Sequence, residues 1–234
     1  MKKLTALLLA IVMTLSLTGC IFRPEIVGTY QAEADLCEMV IEKFDSGTGL
    51  TDTNFSMKYY LKEFKVLINF EFLKEGTYSI TVDNASIQAA LLNLHNAAVM
   101  MIDDYLFAAA KQEYTNYGFT LESRDDVAAL VNMSWAELCT TTLGCSLDEY
   151  VNQLITNSFG TALSTQYRCE GQFTARRGQL HLSDSLEAEP VEENYETYEI
   201  ANGIITFTGS VNLEDNTFFS YPYVLTPVSL PTAA

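Results

Sequence analysis

Hydrophobic and polar positions alternate along this chain with two different periods, and each change of period marks an element. From Gly28 to Leu36 the side chains Tyr30, Ala32, Ala34 and Leu36 alternate with Thr29, Gln31, Glu33 and Asp35, the period of two that half-buries a strand. From Asp35 to Phe44 the spacing turns helical, with Leu36, Met39 and Val40 on one side, and Ser46 to Phe55 reads as a loop. The clearest strand sets Phe64, Val66, Ile68, Phe70 and Phe72 against Lys65, Asn69 and Glu71. Lys74-Glu75-Gly76 then turns it into a partner with Tyr78, Ile80 and Val82 on the same inner face.

Beyond Asp83 and Asn84, either of which can cap a helix, the period lengthens. Ile87, Leu91, Leu94, Ala98, Ile102, Tyr105 and Ala109 form the stripe of an amphipathic helix ending near Tyr114. A shorter helix is predicted from Asp125 to near Met133. Ser134-x-x-Glu137 and Ser146-x-x-Glu149 are capping boxes, the second opening a helix through Tyr150, Leu154 and Ile155 to near Leu163. Residues 84–164 are therefore mostly helical.

Strand spacing returns near Thr165 with Tyr167, Cys169, Gly171, Phe173 and Ala175, and Arg176-Arg177-Gly178 turns into Leu180 and Leu182, with His181 on the opposite, solvated face. Asn202-Gly203 suits a two-residue type I′ turn that pairs Ile200 with Ile205 and Tyr198 with Phe207. The last strand, Tyr221 to Val228, carries Pro222 and Pro227, which places it at a sheet edge or bulge. Three strands before the helical block and five after it, joined mostly by short turns, predict an α+β, mainly β fold. It is an antiparallel up-and-down barrel or sheet of eight strands with a helical insertion between strands three and four.

The N-terminus follows a different logic. Met1, Lys2 and Lys3 precede a charge-free apolar run from Leu4 to Leu17, shorter than the roughly 20 residues a spanning helix needs, so it reads as a signal peptide. Leu17-Thr18-Gly19-Cys20 resembles the lipobox of bacterial lipoproteins, which implies diacylglycerol on the Cys20 thiol and cleavage before it. The predicted organisation is a leader over residues 1–19, a lipidated tether over 20–26 and one domain over 27–234, with its helical insertion at 84–164. Each buried CH₂ of an acyl chain such as palmitate contributes about 0.8 kcal/mol, and two or more chains anchor stably. The expected location is the extracytoplasmic face of a cell membrane, with the membrane itself as a partner through the anchor.

Charge narrows the partners. The chain has 13 Lys and Arg against 30 Asp and Glu, and removing the leader takes two lysines with it, leaving the mature chain at about −19. Such an exterior repels phosphate backbones and anionic headgroups, which disfavours nucleic-acid binding and basic-patch attachment to lipid, and no nucleic-acid partner is expected. The most apolar later segment, Ile87 to Ala110, is broken by Asn93, His95, Asn96, Asp103 and Asp104.

Cys37, Cys139, Cys145 and Cys169 remain beyond Cys20, an even number that allows disulfides in an exported domain. Cys139 with Cys145 needs a break in the helix, which Gly144 can supply, and Cys37 with Cys169 would join distant segments. The spacing does not match a zinc site, because there is no paired CxxC and neither His95 nor His181 is in register.

Several segments carry a resemblance. Val27-Gly28-Thr29-Tyr30 looks like the Gly-x-aromatic opening of lipocalin-like barrels, with Tyr30 where those usually have Trp. Gly28-Thr29-Tyr30-Gln31, Glu75-Gly76-Thr77-Tyr78, the run from Gly178 to Ser185, Tyr195-Glu196-Thr197-Tyr198 and Tyr221-Pro222-Tyr223-Val224-Leu225 are similar to a group of uncharacterised lipocalin-like lipoproteins of Gram-positive gut anaerobes. That resemblance implies the anchor and the barrel, and assigns no functional residues.

No catalytic set stands out. There is no Gly-x-Ser-x-Gly elbow, HExxH or P-loop, and the two histidines have no nucleophile or metal ligands in their sequence context. His95 reads as a helix-surface or core residue, Asp103 and Asp104 as a solvated helix face, and Trp135 as a packing anchor. The Glu-rich run from Glu187 to Glu199, with Glu189, Glu192, Glu193 and Glu196, reads as a flexible acidic connection rather than a calcium site. No metal or other cofactor is expected. The favoured function is a non-enzymatic binding module for a small apolar or amphipathic ligand. The alternative is a surface protein engaging a protein or glycan partner, and a hydrolase comes third for want of an acid/base set.

Overall fold

Among the described residues, eight antiparallel strands close into a barrel in chain order: β1 (Gly28–Asp35), β2 (Lys65–Phe72), β3 (Thr77–Val82), β4 (Arg168–Arg176), β5 (Gln179–Leu182), β6 (Tyr195–Ala201), β7 (Ile204–Val211) and β8 (Tyr223–Pro227). The computed structural model describes residues 26–49, 54–159, 168–213 and 220–228. Cys20 with the leader and most of the tether lies outside them, as do the expected helix end at Leu163 and strand start near Thr165. In chain order α1 (Cys37–Thr48) and a 3₁₀ turn (Met57–Tyr59) fall between β1 and β2. Between β3 and β4 come α2 (Asn84–Asn116), α3 (Arg124–Val131), α4 (Trp135–Leu143) and α5 (Leu147–Phe159). The described residues divide into two compact units, 26–32, 69–81, 168–213 and 220–228 in one, and 33–49, 54–68 and 82–159 in the other.

The first unit is built by strand alternation. Tyr30, Ala32, Phe70, Phe72, Tyr78, Phe173, Leu180, Tyr198, Ile205, Phe207, Tyr223 and Leu225 are buried, while their strand neighbours, His181 excepted, face water or are half-covered. The predicted hairpin pairs occur: Ile200 opposes Ile205 and Tyr198 opposes Phe207. The turn between them holds Asn202 at φ 54° and Gly203 at φ 79°, the two left-handed positions that a type I′ turn demands. Gly171 is needed for a different reason, since a Cβ there would lie 2.4 Å from the carbonyl oxygen of Ser183.

β8 is not an edge strand, contrary to what its prolines suggest. It pairs with β7 through Phe207↔Tyr223 and Ile205↔Leu225, and with β1 through Tyr30↔Pro227 and Gln31↔Thr226. The prolines are tolerated because Pro222 precedes the strand and Pro227 ends it, while the next amide, on Val228, donates to the Thr29 carbonyl at 2.9 Å.

In the second unit α2, α3 and α4 begin at side-chain caps. Asp83 accepts from the Ser86 amide at 2.8 Å and starts α2. Ser123 with Asp126 and Ser134 with Glu137 form complete capping boxes at α3 and α4. α3 stops at Asn132 and α4 at Gly144, both left-handed. α2 buries Ala90, Leu94, Ala97, Ala98, Met101 and Ile102, a helical stripe, and packs on α5, as does α1. The segment expected to be loop from Ser46 instead continues α1 to Thr48. Asp45, buried at its end, accepts from Ser56 Oγ at 2.5 Å and the Met57 amide at 2.8 Å, which holds the 3₁₀ turn.

Candidate functional site

Strand alternation places Glu196 on the inner face of β6, two residues before Tyr198, and it is only 7% exposed. Its register partner Leu180 is also buried. The carboxylate oxygen Oε1 accepts from the Tyr221 hydroxyl at 2.6 Å and the Tyr223 hydroxyl at 2.9 Å. Those rings lie 5.5 Å apart, and Tyr223 stacks on Phe207 at 4.8 Å. Burial, then the negative charge of Glu196 and the hydrogen bond to it, push the Tyr223 phenol well above its ordinary pKa. Glu196 is thus no part of a solvated connection. The two-residue spacing from Glu196 to Tyr198 carries this signal, but the surrounding glutamates mask it.

A second ring cluster fills the space around Phe72, which meets Tyr30 at 6.2 Å, Tyr78 at 6.4 Å and Phe173 at 5.1 Å. Tyr78 donates to the Ser183 carbonyl at 2.7 Å. Every one of these side chains is buried, so the inward positions of this unit are occupied by one another.

Residues 183–194 form a strap pinned to the outer side of the strands, not the flexible connection that composition suggests. Gln172 donates to the Leu186 carbonyl at 2.7 Å, Asn212 donates to the Glu193 carbonyl at 3.0 Å, and Arg176 pairs with Glu192 at 2.9 Å. Beneath lies His181, 3% exposed rather than solvated. Its Nδ1 faces the Val191 carbonyl at 3.3 Å, and a carbonyl only accepts, so that nitrogen carries the proton. Nε2 is buried with no partner among the described residues, and the ring leans on Tyr195 at 5.3 Å. A strand period shows which way His181 points but not that a later segment folds back over it.

In the helical unit, Asp103 and Asp104 are likewise not a bare solvated face. Arg124 binds Asp103 and Asp104, each at 2.6 Å. Trp135 Nε1 donates to Asp103 at 2.7 Å, and the Tyr60 hydroxyl donates to Asp104 at 3.0 Å. Burial first, then Asp104, pushes the Tyr60 phenol up to about 12. Phe107 stacks edge-on to Trp135 and lies under the guanidinium at 5.0 Å. Both carboxylates are thus satisfied by cations and donors, an arrangement that ties α3, α4 and the 3₁₀ turn to α2 and leaves no acid/base pair. His95 lies on α2 with Nε2 3.7 Å from Asp148 on α5.

The four cysteines among the described residues are free thiols: Cys139 is buried, and Cys37, Cys145 and Cys169 are half-buried. Cys169 lies 3.5 Å from the Tyr78 hydroxyl. Burial raises the Cys139 and Cys37 thiols above their ordinary pKa, which disfavours the reactive thiolate. Among the described residues no group of three or more His, Cys, Asp or Glu is placed to hold a metal ion. Met39, Glu42, Lys43 and Ser46 of α1 face Asn157 and Ser158 of α5 across an open cleft of about 510 Å³, which has no buried charged group at its base. Compared with protein families, curated proteins and solved structures, the chain matches none.

Proposed function

We propose that this chain is a lipid-anchored extracytoplasmic protein that works by binding rather than catalysis, its barrel serving as a scaffold that presents outer surfaces to a protein or glycan partner. One observation carries this reading: the inward side chains of the barrel pack on each other. Tyr30, Phe72, Tyr78, Phe173, Tyr198, Phe207 and Tyr223 are all buried, and a ligand among them would have to displace rings. The up-and-down strand order is that of lipocalins, and a small apolar ligand remains the competing reading. It calls for an apolar cavity lined by these same rings.

The anchor reading rests on the basic Lys2 and Lys3, the apolar run after them and the box ending at Cys20. The acidic exterior favours partners with cationic or hydrogen-bonding surfaces over anionic polymers.

Native mass spectrometry of the mature protein purified from its own host tests the binding mode. The expected result is the mass of the lipidated chain alone. A stoichiometric small-molecule adduct would overturn the scaffold in favour of the ligand reading. The anchor is tested separately with Cys20→Ala, which should retain the leader and lose acylation. Unchanged processing and membrane partition would remove the lipoprotein reading.

A further inference from the structure

α2 has a second long face besides the one it buries. Ala85, Ala89, Leu92, Asn96 and Met100 follow one another at three- and four-residue steps and all face solvent. Gln88 and Asn93 flank them, also exposed. Leu92 is 60% exposed and Met100 59%, among the most exposed large apolar side chains of the protein. From Asn84 to Ile102 the helix carries no Asp, Glu, Lys or Arg, although the chain as a whole has 43 such residues at net charge −17. Surface helices in acidic proteins ordinarily carry charge on the side that faces water. Here five successive turns do not, and α2 is the one helix among the described residues long and apolar enough to meet the length and composition of a membrane span.

Its opposite side is fixed in the protein core, since Ala90, Leu94, Ala97, Ala98, Met101 and Ile102 are buried. Spanning is therefore ruled out for the folded unit, and only contact in the plane of an interface remains. We infer that the Ala85–Leu92–Met100 face of α2 rests on the surface of the bilayer that holds the lipid anchor. This inference stands on the anchoring reading above.

Two observations select lipid as the occupant. Residues 20–25 between the acylated cysteine and Ile26 extend to at most about 20 Å, which keeps the folded part in the water layer next to the membrane. Within that layer the local concentration of bilayer is high, so a modest apolar face suffices where it would not in free solution. Charge supplies the second: at about −19 for the mature chain, the exterior is repelled by anionic headgroups, and a strip with no ionised side chain of its own is where that repulsion is least and a bilayer of neutral headgroups meets the least resistance.

Methionine oxidation reads the contact without any substitution. The native lipoprotein is placed on large phosphatidylcholine vesicles, recovered by flotation and treated briefly with a water-soluble oxidant, and each methionine is followed by mass spectrometry. Met39 and Met133, 43% and 44% exposed, are internal references for Met100. Membrane contact predicts that Met100 oxidises several-fold more slowly than either, despite its greater exposure. Protection should be lost in Leu92→Asp, a substitution at an exposed position that leaves the core untouched. Protein that floats while Met100 oxidises as fast as the references overturns the inference and leaves the anchor standing. Failure to float removes the anchor and the inference with it. Protection that fades as protein is diluted in excess lipid assigns the face to a second copy of the chain and overturns the lipid assignment.

Discussion

A carboxylate taken out of water needs donors to replace the solvent, and inside the barrel Tyr221 and Tyr223 give Glu196 two hydroxyls on one oxygen. Glu196→Ala would leave both phenols without that acceptor and should cost about 2–4 kcal/mol in urea unfolding. Glu196→Gln keeps an acceptor oxygen and should cost less. Equal losses would mean that side-chain volume, not hydrogen bonding, is what the position requires. The Tyr223 phenol gives a pH signature with a definite sign. Its folded pKa is raised, so its contribution is complete below the unfolded value of about 10 and declines as pH climbs from there toward the folded pKa. Tyr60, pushed up to about 12, acts in the same direction. Melting temperature should therefore fall between about pH 9 and pH 12, and Tyr223→Phe should flatten part of that slope.

Among the elements, those with local rules were legible and those set by tertiary coverage were not. Ser134 and Glu137 form their box because both partners sit within one turn, and Asn202-Gly203 forms its hairpin because only left-handed residues fit there. No local period reveals the surroundings of His181 and Asp103, because they come from elsewhere in the chain, the strap at Val191 in one case and Arg124 and Trp135 in the other. The inward set of β6 was legible as far as Tyr198. Glu196 shares that period, but the glutamates around it make the segment read as solvated. Ser134→Ala should cost about 1 kcal/mol through the lost cap. Arg124→Met should cost about 1–2 kcal/mol, a figure discounted because the guanidinium is partly in water. If Arg124→Met has no effect on thermal unfolding, the carboxylate pair is held by Trp135 and Tyr60 alone.

For the molecule as a whole, closing the barrel joins residues at opposite ends of the chain: Tyr30 lies against Pro227, and Thr29 accepts from the Val228 amide. All other strand neighbours in the barrel are also neighbours in sequence order. Loop closure of that length is the slowest contact to form, because its entropy must be overcome before any pairing rewards it. A polypeptide delivered N-terminus first must therefore leave one edge of its opening strand unpaired until its last segment has arrived, with the bare amides and carbonyls of that edge available to any passing chain. Ending translation before Tyr221 should make that exposure permanent. Such a product should form sedimentable aggregates that bind an amyloid dye, whereas the complete chain stays monodisperse on size exclusion. On the anchored reading proposed above, export would accordingly favour a holding chaperone that guards that strand edge and releases it only when synthesis is done.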